Sequence, residues 1–207
     1  MVLAIIERKV CMKKIPTLFI REFENHHVKK VYNKVTPGLE WVLEGKGIAT
    51  IKFDGSCCAI INGELYKRYD AKKGKKVPEG AIKCQQEADK ITGHLPCWVK
   101  CDKNNPSDKW FIAAFKDYKI KTSKYPQFAT NEDYQTFEAV GPHFQGNPYN
   151  LEKDTLIIHG KAEVTVERTF EGIKEWLEEH EEEGLVFWKD GEPKCKIKRS
   201  DFGFKWK

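Results

Sequence analysis

Asn62 and Gly63 stand between two short runs rich in strand formers, "CCAII" at 57–61 and "ELYKRY" at 64–69. An Asn-Gly pair readily supplies the two left-handed residues of a tight hairpin turn, so this stretch points to an antiparallel ladder. With a two-residue turn, Ile61 pairs with Glu64 and Arg68 falls opposite Cys57, close to Asp54 and Gly55. A second hairpin is expected near the C-terminus, where "GLVFW" is answered by "KCKIK" across the turn "KDGE". Counting outward from Asp190 and Gly191 places Glu183 opposite Lys198 and Leu185 opposite Lys196, although Pro193 beside the turn can shift that register by one residue. The segment "TFEGIKEWLEEHEEE" carries Phe170, Ile173, Trp176, Leu177 and His180 at helical spacing behind a Thr169 cap. Residues 22–34 and 80–92 are weaker helix candidates. The fold class expected is α+β with largely antiparallel sheets.

A chain of 207 residues, 40% hydrophobic and 12% aromatic, can bury a core without crosslinks and is expected to form one domain over 1–207. Its longest apolar run, "WFIAAF", is far too short to span a bilayer, which suggests a soluble intracellular protein, cytoplasmic and monomeric, with no membrane partner. Seven cysteines, two of them adjacent at Cys57 and Cys58, suit buried thiols in a reducing compartment better than a disulfide framework. His94, Cys97 and Cys101 with Cys84 upstream lack the second pair that a zinc module would show, and read as core and loop residues. The net charge of +5 is mild, but "KRYDAKKGKK" packs six basic residues into ten, and "KCKIKRSDFGFKWK" is similarly dense. Such runs are commonly solvated loops; they also suit a phosphate-rich partner.

Charge inside an otherwise apolar stretch marks the candidate site. In "ATIKFDGSCCAI", Lys52 and Asp54 project to one side of a strand and Phe53 to the other, while Gly55 permits a turn or a close approach. Alone, "KFDG" is four common residues. It is followed in order by Arg68, by Glu138 in "FEAVGPHFQGNPY", by Glu183 in "EGLVFW", and by Lys196 and Lys198 in "CKIKR". Each has a bland alternative: Glu183 as the solvated end of a helix capped by Gly184, the lysines as edge-strand charges, Arg68 as part of a basic loop, Glu138 as a turn residue.

As an ordered set, these residues resemble the collinear motifs of the covalent nucleotidyltransferases, which include ATP-dependent DNA and RNA ligases and mRNA capping enzymes. The likeness runs from 52 to 198, and "VGPHFQGNPY" is most similar to the small ATP-dependent RNA ligases of the 5'-to-3' type. The resemblance implies a nucleotidyltransferase domain with flanking helices in which Lys52 attacks the α-phosphate of ATP and becomes a lysyl-AMP. It further implies that Lys196 and Lys198 contact the α-phosphate, Arg68 the ribose side or a 5'-phosphate, and Glu138 the ribose hydroxyl. Asp54 and Gly55 would shape the nucleotide site and Leu185 pack on the adenine. Glu183, with Glu138, would hold Mg²⁺ (or Mn²⁺), directly or through water. An ammonium has no lone pair, so the free amine is required at position 52, which nearby cations and partial burial favour. The partner implied is RNA with 5'-phosphate and 3'-hydroxyl ends. Nine residues follow Lys198, so no C-terminal oligonucleotide-binding domain is expected within this sequence. The alternatives are a DNA ligase, a capping guanylyltransferase or an inactive RNA-binding relative. His159 in "LIIHGKAEV" lies between two of the motifs and reads as a packed, hydrogen-bonded residue.

Overall fold

The computed structural model describes residues 12–25, 27–90, 92–124 and 133–207. In chain order its strands are β1 (Phe19–Glu24), β2 (His27–Val35), β3 (Ile48–Lys52), β4 (Ser56–Ile61), β5 (Glu64–Ala71), β6 (Ile82–Lys83), β7 (Leu95–Lys100), β8 (Tyr134–Val140), β9 (Thr155–Ile158), β10 (Glu163–Val164), β11 (Gly184–Lys189) and β12 (Glu192–Lys198). The helices are α1 (Lys109–Lys124) and α2 (Phe170–Glu179). All strand pairs within the sheets are antiparallel. The chain is therefore α+β, and it divides into two compact units: Asp54–His159 with the segment up to Lys14, and Ile15–Phe53 with Gly160–Lys207.

The unit of Asp54–His159 is built on a six-stranded sheet ordered β6-β7-β5-β4-β8-β9. Its first hairpin has the register its turn dictates, Ile61 opposite Glu64, with Asn62 and Gly63 at φ of 50° and 78°. One sheet face carries Cys58, Leu65, Phe137, Ala139 and Leu156, which pack with Ala114, Phe111, Phe115 and Tyr118 of α1. That helix was not legible as one, because "WFIAAF" is an unbroken apolar run rather than a periodic one. It is led in by a 3-10 turn at Pro106–Asp108, where the Asn105 side chain accepts from Ser107 N at 3.0 Å. Asp108, 1% exposed, is held by an ion pair with Lys67 and by the amide of Asp102.

The helix expected over 80–92 is absent among the described residues. The segment forms the two-residue strand β6, then bends, and the Asp89 carboxylate closes a turn by accepting from Thr92 N at 2.8 Å. Asx turns of this kind compete with helix, and here they win.

The unit of Ile15–Phe53 and Gly160–Lys207 carries a four-stranded sheet ordered β10-β3-β11-β12 and the hairpin β1-β2. Helix α2 is capped as expected: Thr169 Oγ1 accepts from Gly172 N at 2.9 Å, and Ile173 and Leu177 are fully buried. They join Leu18, Phe19, Val42, Leu185, Phe187, Cys195 and Ile197 in one core. The helix expected over 22–34 is instead the β1-β2 hairpin, with Asn25 in the turn at φ 50°. Val28, Val31 and Val35 have helix-like spacing, but β-branched residues favour strands, and two register irregularities in this hairpin permit the three- and four-residue steps.

Candidate active site

Lys52, Lys196 and Lys198 lie on strands of the four-stranded sheet, and Glu183 immediately precedes β11 within it. Gly184 of β11 pairs with Lys52 of β3 on one side and Lys198 of β12 on the other; one row along, Val186 pairs with Thr50 and Lys196. Side chains of paired residues share a face, so the three lysines project to the side opposite the core formed by Leu185, Phe187, Cys195 and Ile197. Glycine leaves the centre of the first row bare. The Glu183 carboxylate occupies the charge gap between the flanking lysines: Oε2 lies 2.5 Å from Lys52 Nζ and Oε1 lies 2.5 Å from Lys198 Nζ. Glu183 is 4% exposed, so it is not a solvated helix end; α2 stops at Glu179 and Gly184 opens a strand instead of capping the helix.

The arrangement concentrates three ammonium groups around one carboxylate. Burial, followed by the charges of Lys52 and Lys198, lowers the pKa of Lys196 to about 8. A cluster with excess positive charge, partly withdrawn from water, is suited to binding a polyanion and stabilising charge that develops on phosphoryl oxygens.

The surroundings fix this face. A Cβ at Gly184 would stand 2.2 Å from Ile197 O, so only glycine allows β11 and β12 to meet there. Asp201, also 4% exposed, accepts from Lys198 N at 2.9 Å and from Arg21 Nη1 at 3.0 Å, anchoring the end of β12. Arg199 donates from its backbone to Glu183 O at 2.9 Å, and its guanidinium bonds Leu177 O and His180 O at the C-terminus of α2. A cation there offsets the negative end of the helix, which explains how an acidic run can finish it.

Asp54, Gly55, Arg68 and Glu138 belong to the other unit. Asp54 N donates to Tyr149 Oη at 2.7 Å, so the "NPY" end of the long motif holds the backbone of "KFDG". Gly55 is required by packing rather than by its φ: a Cβ would lie 2.3 Å from Ala139 O and 2.9 Å from Glu138 Cγ. Arg68 donates to Asp70 Oδ1 at 2.8 Å and to Met12 O at 2.7 Å. Burial disfavours its charge, but Cys57 and Asp70 outweigh that and leave its pKa raised. Glu138 faces Cys57 across β4-β8, and its Oε2 lies 2.9 Å from His159 Nε2. His159, read from sequence as packed and hydrogen-bonded, has Glu138 as its partner; it lies two residues beyond Ile157, which pairs with Glu138.

One expected site residue is corrected. Leu185 pairs with Ile197, not Lys196, and is fully buried in the core on the opposite face, so it cannot present itself to a ligand beside Lys196. The reason is an irregularity between Phe187 and Trp188 that skips Lys194 in the pairing, next to Pro193, whose ring nitrogen cannot donate to a ladder. Val186 holds the place opposite Lys196 instead.

A hard dication suits carboxylate oxygen, but the oxygens of Glu183 each already face an ammonium at 2.5 Å. In this arrangement Glu183 offers Mg²⁺ no direct position.

A mixed α+β fold with antiparallel sheets and few helices is compatible with a ligase domain. The chain is similar to RNA ligase 1 of Danio rerio, with 25% identity over 269 aligned positions covering 94% of this chain and 82% of that protein. No protein-family model matches. At that identity the likeness supports a distant relation to an RNA ligase family. Among the described residues, no helix is long and apolar enough to cross a membrane.

Proposed function

We propose that this chain is an ATP-dependent RNA ligase working through a lysyl-AMP, and that residues 1–207 act as one adenylation domain. The observation that carries the reading is the Lys52–Glu183–Lys198 network with Lys196 on the same sheet face. Lys52 Nζ, as the free amine, attacks the α-phosphorus of ATP; a P–N bond forms, the bond to the β-phosphate breaks, and pyrophosphate leaves. Lys196 and Lys198 then neutralise charge on the α-phosphoryl oxygens. Glu183 is close enough to Lys52 to accept its proton before attack. An RNA 5'-phosphate oxygen displaces Lys52 from phosphorus, regenerating the amine and giving adenylylated RNA. Attack by an RNA 3'-hydroxyl on the RNA phosphorus expels AMP and seals the strand.

The roles of Arg68, Asp54, Gly55 and Glu138 toward the ribose and phosphates are proposed from the resemblance. Mg²⁺ supplies charge neutralisation at the phosphates when bound. Because both Glu183 oxygens accept from ammonium groups, the reading favours contact with the ion through water.

Incubation with α-labelled ATP or GTP followed by denaturing electrophoresis tests this. Label retained from ATP only, a mass increase of roughly 329 Da for one AMP, and loss of both in Lys52→Ala are the expected results. Label from GTP alone would make the chain a guanylyltransferase, and RNA binding without any label would make it an inactive relative. Sealing of DNA in preference to RNA would make it a DNA ligase.

A further inference from the structure

Cys57, Glu138 and His159 bring one sulfur, one oxygen and one nitrogen donor together, all within 4.8 Å of one another. They come from β4, from β8 and from the end of β9, and Cys57 and Glu138 are directly paired neighbours. We infer that these three side chains form a binding site for a single borderline divalent ion of the zinc class, distinct from the magnesium that accompanies a nucleotide.

Three observations carry the inference. First, the donors are of different types, and a thiolate with an imidazole selects zinc-like ions over magnesium, which takes oxygen ligands. Second, the nitrogen and oxygen already stand within ~0.5 Å of the separation that a tetrahedral ion requires. Two donors each ~2.0–2.1 Å from one ion stand ~2.9 Å apart at a right angle and ~3.4 Å apart at the tetrahedral angle. His159 Nε2 and Glu138 Oε2 are 2.9 Å apart, with the Cys57 sulfur within 4.8 Å of both; an ion entering between them displaces the proton from Nε2, which passes to Nδ1. Third, hydrogen bonding satisfies only half of this imidazole, since Nε2 alone meets an acceptor. Its Nδ1 is buried without a partner, although buried polar atoms are ordinarily satisfied.

The site is partly enclosed, with the Glu138 and His159 side chains 13% and 15% exposed, and three protein ligands leave a fourth position for water or an incoming group. Arg68, whose charge interacts with Cys57, supplies positive charge beside the thiolate. Binding releases the thiol proton to solvent, and the ion takes its place.

Ligation by Glu138 removes that carboxylate from any other role. A second consequence, which rests on the ligase reading, is that zinc competes with nucleotide and suppresses covalent labelling, reversed by a chelator.

The test uses the whole chain with Co²⁺ as the spectroscopic probe and Zn²⁺ as its competitor. One equivalent of Co²⁺ is expected to give a thiolate-to-metal charge-transfer band that Zn²⁺ bleaches, and Cys57→Ser and His159→Asn are each expected to lose it. Absence of the band in the parent chain, or its survival in Cys57→Ser, overturns the site. Alkylation of the unsubstituted chain gives a readout independent of variant folding: equimolar Zn²⁺ is expected to slow iodoacetamide modification of Cys57 at least tenfold while leaving Cys101 unchanged. Equal rates at Cys57 with and without Zn²⁺ overturn it as well. Both measurements are made without nucleotide, so they stand whether or not labelling from ATP is seen.

Discussion

Each of the two sheets packs one face against a core that includes a helix or hairpin, yet the opposite faces are made differently. On the four-stranded sheet the polar face is ionic: Lys52, Lys196 and Lys198 crowd around Glu183, and Asp201 and Arg21 brace the strand beneath. On the six-stranded sheet that face carries a second apolar cluster of Ala59, Ile61, Cys84 and Trp98, and next to it mixes donor types, with Cys57, Glu138 and His159 beside Arg68. The first face holds more positive charge than it can neutralise internally, which is the condition for binding phosphate. The second is nearly balanced and offers ligand atoms rather than net charge. The difference teaches that like charges are brought together only where something else is to complete them, because the assembly is otherwise unfavourable.

The sharpest way to break that contrast is at Lys52. Lys52→Arg keeps the charge and the contact to Glu183 but removes the nucleophilic amine, so labelling from ATP should fall by at least about 10³-fold while thermal stability is held. Substantial residual labelling, mapped to another lysine, would move the chemistry elsewhere.

Next in size is Glu183→Ala. Removing the carboxylate that touches both Lys52 and Lys198 leaves mutually repelling ammonium groups, and urea denaturation at pH 7 should show a loss of about 2–4 kcal/mol. A loss below about 1 kcal/mol would mean that water already screens the cluster.

Lys196 probes the same excess charge through pH. Its pKa in the folded chain is about 8 against the ordinary lysine value of 10.5, so between those limits the unfolded chain binds more protons and stability rises with pH. The rise should approach about 3 kcal/mol across the window, with the full penalty present below it. In Lys196→Met the slope assignable to this residue should vanish and stability near pH 7 should increase. An unchanged slope would show that Lys196 is not the group responsible.

The smallest effect is expected on the other face. His159→Phe breaks one hydrogen bond to Glu138 and should cost about 1 kcal/mol in the metal-free protein, read by urea denaturation. A loss as large as that at Glu183 would erase the distinction between the two faces.

Local chemistry made part of this legible in advance. The Asn62-Gly63 turn specified its register because a two-residue turn admits one pairing, and Thr169 marked its helix because an orphan amide at an N-terminus requires an acceptor. The ordered residues Lys52, Glu183, Lys196 and Lys198 could be named from sequence, but sequence order carries no distance, and only the pairing of β3 with β11 and β12 brings them to one surface.

What tertiary packing alone decided is equally specific. The skipped residue near Pro193 moved Leu185 from the lysine face into the core, since one step along a strand reverses every side chain. Helix α1 formed from an aperiodic apolar run because the sheet beneath it supplies the surface that its own pattern does not announce. His159 became a partner of Glu138 through a strand pairing that spans 21 residues of sequence. Turns and caps are satisfied within a few residues and so can be read from them; register, burial and the meeting of distant side chains depend on which strands compete successfully for the same neighbour, and that is settled only when the whole chain has packed.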